Sequence, residues 1–161
     1  MAIRHATLKQ SMICKAILDT SYIVGLIDEK DTWHKKAKGI EERLIQKRVP
    51  LIFLDCVVNE VVSVIARRFH EKRRTKEIAS AIEKFESVCP EDSITWMYPE
   101  IEKFFRPILE TVKAGKGELN FHDAFILHLA NEFGITYIVS FDKGFDKTSL
   151  KRIGQIEDVV G

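Results

Sequence analysis

Short apolar runs alternate along this chain with longer stretches whose apolar residues recur every three or four positions, and that alternation restricts the fold more than any motif does. The runs "KAIL" (15–18), "PLIFL" (50–54) and "TYIVS" (136–140) are brief, β-branched or aromatic, and bounded by polar turn residues, as strands are. Further strands are expected near 94–97 and 153–157. Helical spacing predicts helices over roughly 20–28, 32–48, 56–72, 75–88 and 121–133, the last capped by Asn120 and stopped by Gly134. Between them, Ile101, Phe104, Phe105, Ile108, Leu109 and Val112 follow the i, i+3, i+4 pattern of one buried helix face, and Pro107 should kink that helix. Strands that alternate with helices in this way favour a parallel sheet covered on both faces, a single-domain α/β/α sandwich. There is no repeat, low-complexity tract or linker, and "KAGKGE" (113–118) reads as a loop.

At 161 residues and 45% apolar composition, the chain fits one domain over 1–161 with a substantial core. Its 25 Lys and Arg nearly balance 24 Asp and Glu, so overall charge does not point to nucleic acid or a membrane surface. Cys14, Cys56 and Cys89 are far apart and form no CxxC pair, which fits buried thiols in a reducing cytoplasm better than disulfides or a cysteine zinc site. No apolar h-region precedes Lys15 and no run of eighteen apolar residues occurs, so no membrane association is expected.

Within this pattern the acids stand out. In an open parallel sheet, the loops after the strand C-termini and the first turns of the following helices share one edge, where ligands bind. Asp19 ends the first strand in "AILDTS", and Asp142 follows "TYIVS". Glu60 lies in the second turn of the helix after "PLIFL", and Asp123 in the first turn of its helix. Residues 41, 63 and 19 positions apart in sequence should therefore converge. Each also has a plainer role. Asp19 can N-cap its helix, Asp123 can form a capping box with Asn120, and Asp142 and Asp146 can shape the turn around Gly144. Glu60 resists such a role, because its helical neighbours are apolar and a buried carboxylate needs a partner. Four ionised carboxylates held together call for a hard, oxygen-seeking cation, magnesium or manganese. Such an ion activates water and stabilises charge at phosphorus, so the implied chemistry is phosphodiester hydrolysis.

These segments resemble the PIN-domain nucleases, and among them the VapC-type toxin ribonucleases. The resemblance rests on "AILDTSYIVGLID", "VVNEVVSVI", "NFHDAFILHLA" and "YIVSFDKGFD" in that order, and covers roughly residues 15–157. His34 and Ala37 in "WHKKA" are similar to the family's HxxA packing feature. The resemblance implies a metal-dependent endoribonuclease with Asp19, Glu60, Asp123 and Asp142 as catalytic and metal-binding residues. Ser140, Thr20, Ser21 and Asp146 would be supporting groups. It further implies an RNA substrate, an antitoxin protein partner and a homodimer. Phe141 departs from the small or basic polar residue usual in the family, and residues 1–11, an N-terminal extension, and 90–118 exceed its compact pattern. A non-catalytic PIN-like RNA-binding or assembly protein is the alternative, and a complete acidic set argues against it.

Other features carry less. There is no GxGxxG, P-loop, GxSxG or HExxH. His122 and His128 fall on different helix faces, which favours solvent or packing roles over a shared metal, and Trp33 and Trp96 read as core or interface residues rather than base-stacking platforms. The run "ARRFHEKRRTK", containing Arg67, Arg68, Lys72, Arg73, Arg74 and Lys76, reads as a solvated helix end, with phosphate or partner binding as the alternative. Lys143 and Lys147 flank the acids and are better placed to contact RNA.

Overall fold

The computed structural model describes residues 15–159, so Cys14 and the extension 1–11 lie outside it. Its five strands are β1 (Ala16–Leu18), β2 (Leu51–Leu54), β3 (Ile94–Thr95), β4 (Tyr137–Val139) and β5 (Lys151–Ile153). All pair in parallel, in the order β3-β2-β1-β4-β5. β1 is central, with Ala16 opposite both Leu51 and Tyr137, and it is buried throughout, which is why it consists of Ala, Ile and Leu. The α-helices among the described residues are α1 (Thr20–Ile27), α2 (His34–Gln46), α3 (Asp55–Glu71), α4 (Ile78–Val88), α5 (Ile101–Ala114) and α6 (Phe121–Phe133). The result is the single α/β domain that the alternation implies.

Most expected elements appear within a residue or two, and the exceptions have causes. β3 is shorter than 94–97 because Tyr98–Glu100 forms a 3-10 turn with proline inside it. The last strand lies at Lys151–Ile153, before the expected 153–157. It is an edge strand whose Lys151 is solvated and whose Arg152 is held by polar bonds, so no apolar alternation marks it. Segment 156–158 is instead a 3-10 turn closed by a Gln155–Asp158 capping box. The helix at 78–88 starts late because Thr75–Glu77 winds as 3-10. α5 runs through Pro107 as one helix, and the proline faces solvent. Its expected buried face is narrower than the pattern suggests: Phe104 and Ile108 are buried, whereas Phe105 and Leu109 are exposed.

α1 and α2 pack closely because small residues meet there. A Cβ on Gly25 would come within 3.4 Å of the Ala37 Cβ, and the His34 ring nitrogen Nδ1 lies 2.8 Å from the Gly25 carbonyl. At the far end of α1, buried Asp28 accepts two bonds from Arg74 at 2.9 and 3.1 Å, and Arg68 lies 3.7 Å away. Part of the basic run is therefore internal structure, and the solvated-helix-end reading holds only for Arg67, Lys72, Arg73 and Lys76, which are exposed.

Candidate active site

The strand order reverses between β1 and β4, and such a switch point opens a crevice at the C-terminal ends of the two strands. β1 delivers Asp19 there and β4 delivers Ser140 and Asp142. Asp19 is buried and N-caps α1, its Oδ2 accepting from the Ser21 amide at 3.3 Å. The same oxygen accepts from Ser21 Oγ at 2.6 Å and Ser140 Oγ at 2.7 Å. Ser140 Oγ in turn accepts from the Asp142 amide, and Ser21 Oγ from the Phe141 amide, both at 2.9 Å. These hydroxyls tie the ends of β1 and β4 into one unit around Asp19. Burial pushes the Asp19 carboxyl above its ordinary pKa, against the hydroxyl and amide bonds that favour its charge.

The Thr20 side chain serves Glu60. Its Oγ1 donates to Glu60 Oε2 at 3.0 Å, linking the first turn of α1 to the second turn of α3. The Glu60 side chain is 29% exposed, so the argument from a buried carboxylate on an apolar helix does not hold. Glu60 sits at the crevice rim, where His122 Nδ1 lies 3.8 Å from its Oε2.

Asp123 takes the capping role open to it. Its Oδ2 accepts from the Asn120 amide at 3.1 Å and the Asn120 side chain accepts from the Asp123 amide at 2.9 Å, a complete capping box. Yet its pKa is pushed up to about 6, first by burial and then by the negative charges of Asp19, Asp142 and Glu60, against the Asn120 amide bond. The four acids from four separate segments thus feel one another at Asp123. Asp142 is exposed, and its Oδ1 caps a short 3-10 turn by accepting from the Gly144 amide at 2.7 Å.

Asp146 forms a two-bond ion pair with Arg152, at 2.7 and 3.0 Å. Arg152 Nη1 also donates to the Ser140 carbonyl at 3.2 Å, so Asp146 supports the site only through Arg152. Lys143 is exposed beside Asp142, whereas Lys147 is bound to both Glu118 oxygens at 2.8 and 2.9 Å.

Sequence reading missed several residues. Buried Asp55, the first residue of α3, accepts from the Met97 and Tyr98 amides at 2.6 and 2.7 Å and fixes the segment after β3. Its signal was an acid directly after a strand, the same cue that marked Asp19. His122 stands at the rim, while His128 packs, bonding Thr111 at 2.9 Å and stacking on Phe104. Trp33 and Trp96 are exposed rather than core.

The four carboxylates offer oxygen donors, a set suited to a hard divalent cation, with the His122 ring nitrogen at the rim beside Glu60. Glu60, Asp123 and Asp142 each commit one carboxylate oxygen to the protein and leave the other without a hydrogen bond among the described residues. No group of three or more His, Cys, Asp or Glu among the described residues is close enough to cage an ion directly. Magnesium keeps much of its water and takes one or two protein carboxylates, so it does not require such a cage.

A five-stranded parallel sheet with acids gathered at its switch point defines an α/β domain with an acidic crevice. Residues 16–151 match the PIN domain, and the chain belongs to that family. Among solved structures it is similar to Mycobacterium tuberculosis VapC20, a Sarcin-Ricin loop cleaving toxin, with a TM-score of 0.59 and 19% identity. That likeness covers 82% of this chain and 93% of VapC20 and is one of fold. No curated protein matches the chain.

Proposed function

We propose that the chain is a magnesium- or manganese-dependent endoribonuclease whose site is Asp19, Glu60, Asp123 and Asp142. The observation that carries this reading is Asp123, buried and pressed by the charges of the other three acids. A structural capping residue does not require three further carboxylates around it. When bound, the ion supplies Lewis acidity toward the phosphodiester and a more acidic water. Asp19 is oriented by Ser21 and Ser140, Glu60 by Thr20, Asp123 by Asn120 and Asp142 by Gly144, so each carboxylate is held in one direction before any ligand arrives.

The fold likeness to a toxin supports a narrower proposal: a type II toxin, paired with an antitoxin protein, acting on RNA as a homodimer in the cytoplasm. No helix among the described residues is long and apolar enough to cross a membrane. RNA cleavage by the wild type in manganese, abolished by chelator and by Asp142→Asn, is the expected result. The alternative, a non-catalytic PIN-like RNA-binding or assembly protein, draws on the lack of a ready-made cage. RNA bound but never cut would establish it.

A further inference from the structure

Phe141, the departure from the family pattern, is half-buried between Ser140 and Asp142, and Trp33 lies flat against it. Their ring centroids are 5.0 Å apart and their planes differ by 16°. Behind Phe141 stands Tyr22 at 6.2 Å, and Gly25 lets the ring lie close to α1, since a Cβ there would come within 3.3 Å of Phe141 Cε2. The Phe141 amide is bonded to Ser21 Oγ, which is bonded to Asp19. This aromatic stack is therefore held in register with the acids by the same hydroxyl that orients the first of them.

Trp33 is the outer layer of the stack and is 40% exposed, and its indole N–H has no hydrogen-bond partner among the described residues. It is also the one large exposed apolar side chain in residues 15–44 and 136–155, the segments that bring Asp19 and Asp142 to the crevice. A hydrophobic protein interface needs a broader apolar patch. Lys36 Nζ lies over the Trp33 ring, 4.9 Å from its centroid, and Lys36 is exposed and forms no ion pair among the described residues. Lys143, two positions after Phe141, is likewise exposed and forms no ion pair among the described residues. An exposed indole backed by a second ring, with an ammonium over it that a base can displace toward a phosphate, offers the groups with which proteins hold single-stranded nucleic acid.

We propose that Trp33, backed by Phe141, stacks an unpaired base of the RNA next to the phosphate at the acids, with Lys36 at the backbone of that nucleotide. This rests on the ribonuclease reading of the same crevice.

The test uses the whole protein with Trp96→Phe, which leaves Trp33 as its only tryptophan. Addition of a single-stranded RNA oligonucleotide should quench Trp33 fluorescence. In binding measured by anisotropy of labelled RNA, Trp33→Ala should lose about tenfold in affinity and Trp33→Phe much less, as expected for one stacked base. An oligonucleotide with one abasic site at the stacked position should lose a similar factor, and Trp33→Ala should cost nothing more on it. Lys36→Ala, which leaves the core intact, should weaken binding and flatten its salt dependence. Unquenched Trp33 with unchanged affinity of Trp33→Ala would overturn the stacking role while cleavage kept the nuclease reading. If the wild type neither binds nor cuts RNA, both fall. Loss of a protein dimer in Trp33→Ala, with RNA affinity unchanged, would assign the shelf to a second copy and overturn the proposal.

Discussion

Asp123 and Asp28 are both buried acids, and their partners give them opposite pH dependence. The folded state raises the pKa of Asp123 from 3.8 to about 6, so the native protein holds this proton more tightly than the unfolded chain. The resulting stability is full below about pH 4 and is lost as pH rises through about 6. The shift corresponds to at most about 3 kcal/mol, and solvent at the crevice reduces it to about 1 kcal/mol. Asp123→Asn keeps an oxygen for the Asn120 amide and removes the charge, so at neutral pH it should melt higher than the wild type. A lower-melting variant would refute the destabilised-acid account. For Asp28, burial alone would raise the pKa, but the Arg74 bonds and the charges of Arg74 and Arg68 prevail and lower it. That contribution is present at neutral pH and disappears as pH falls through the carboxylate range. Arg74→Met leaves buried Asp28 with only the more distant Arg68 to offset its charge and should cost about 3 kcal/mol in urea unfolding, with Asp28→Asn in the same chain recovering part of it.

β5 and the loop before it illustrate how an element can serve a site it does not enter. Arg152 on β5 bonds Asp146 and the Ser140 carbonyl, and so holds both ends of the loop that carries Asp142. Gly154 leaves room for it, because a Cβ there would sit 1.8 Å from Arg152 Nη1. Gly154→Ala should therefore lower stability by about 1–3 kcal/mol and speed amide exchange over 140–146. The same change in an Arg152→Ala chain should cost far less, and equal costs in the two backgrounds would show that the guanidinium is not the obstacle. The element was hard to find from its residues because its polar side chains make specific bonds. The apolar runs of β1, β2 and β4 were easy because burial on both faces demands them.

On the scale of the whole molecule, a cation bound at the acids, as proposed above, would offset the mutual repulsion that opposes folding. Manganese at one hundred times its dissociation constant should stabilise the wild type by about 2.7 kcal/mol through mass action, and Asp142→Asn much less. Equal shifts in both proteins would place the ion elsewhere. Charge reversal should separate the basic regions as well. Lys143→Glu, beside the crevice, should weaken RNA binding and reduce its salt slope, whereas exposed Arg73→Glu should change little. Lys147 is paired with Glu118, and reversing it should matter less than reversing Lys143. Arg74 is unsuitable for such a comparison because its loss destabilises the fold through Asp28.

The amino-acid sequence by itself determined the parallel α/β architecture and the segments that supply the four acids. Both follow from local rules: apolar runs that must be buried, helical periodicity, and acids placed directly after strands or in first helical turns. It also marked Asn120 and Gly134, whose cap and left-handed turn are local bond geometry. Only the tertiary structure decided that Thr20 serves Glu60, that Asp146 belongs to Arg152, that Arg74 neutralises Asp28, and that Trp33 lies on Phe141 beside the acids. Each of these joins residues whose spacing along the chain carries no periodic signal. A carboxylate's partner depends on which donor the packed helices bring within about 3 Å, and that distance exists only after the core has closed.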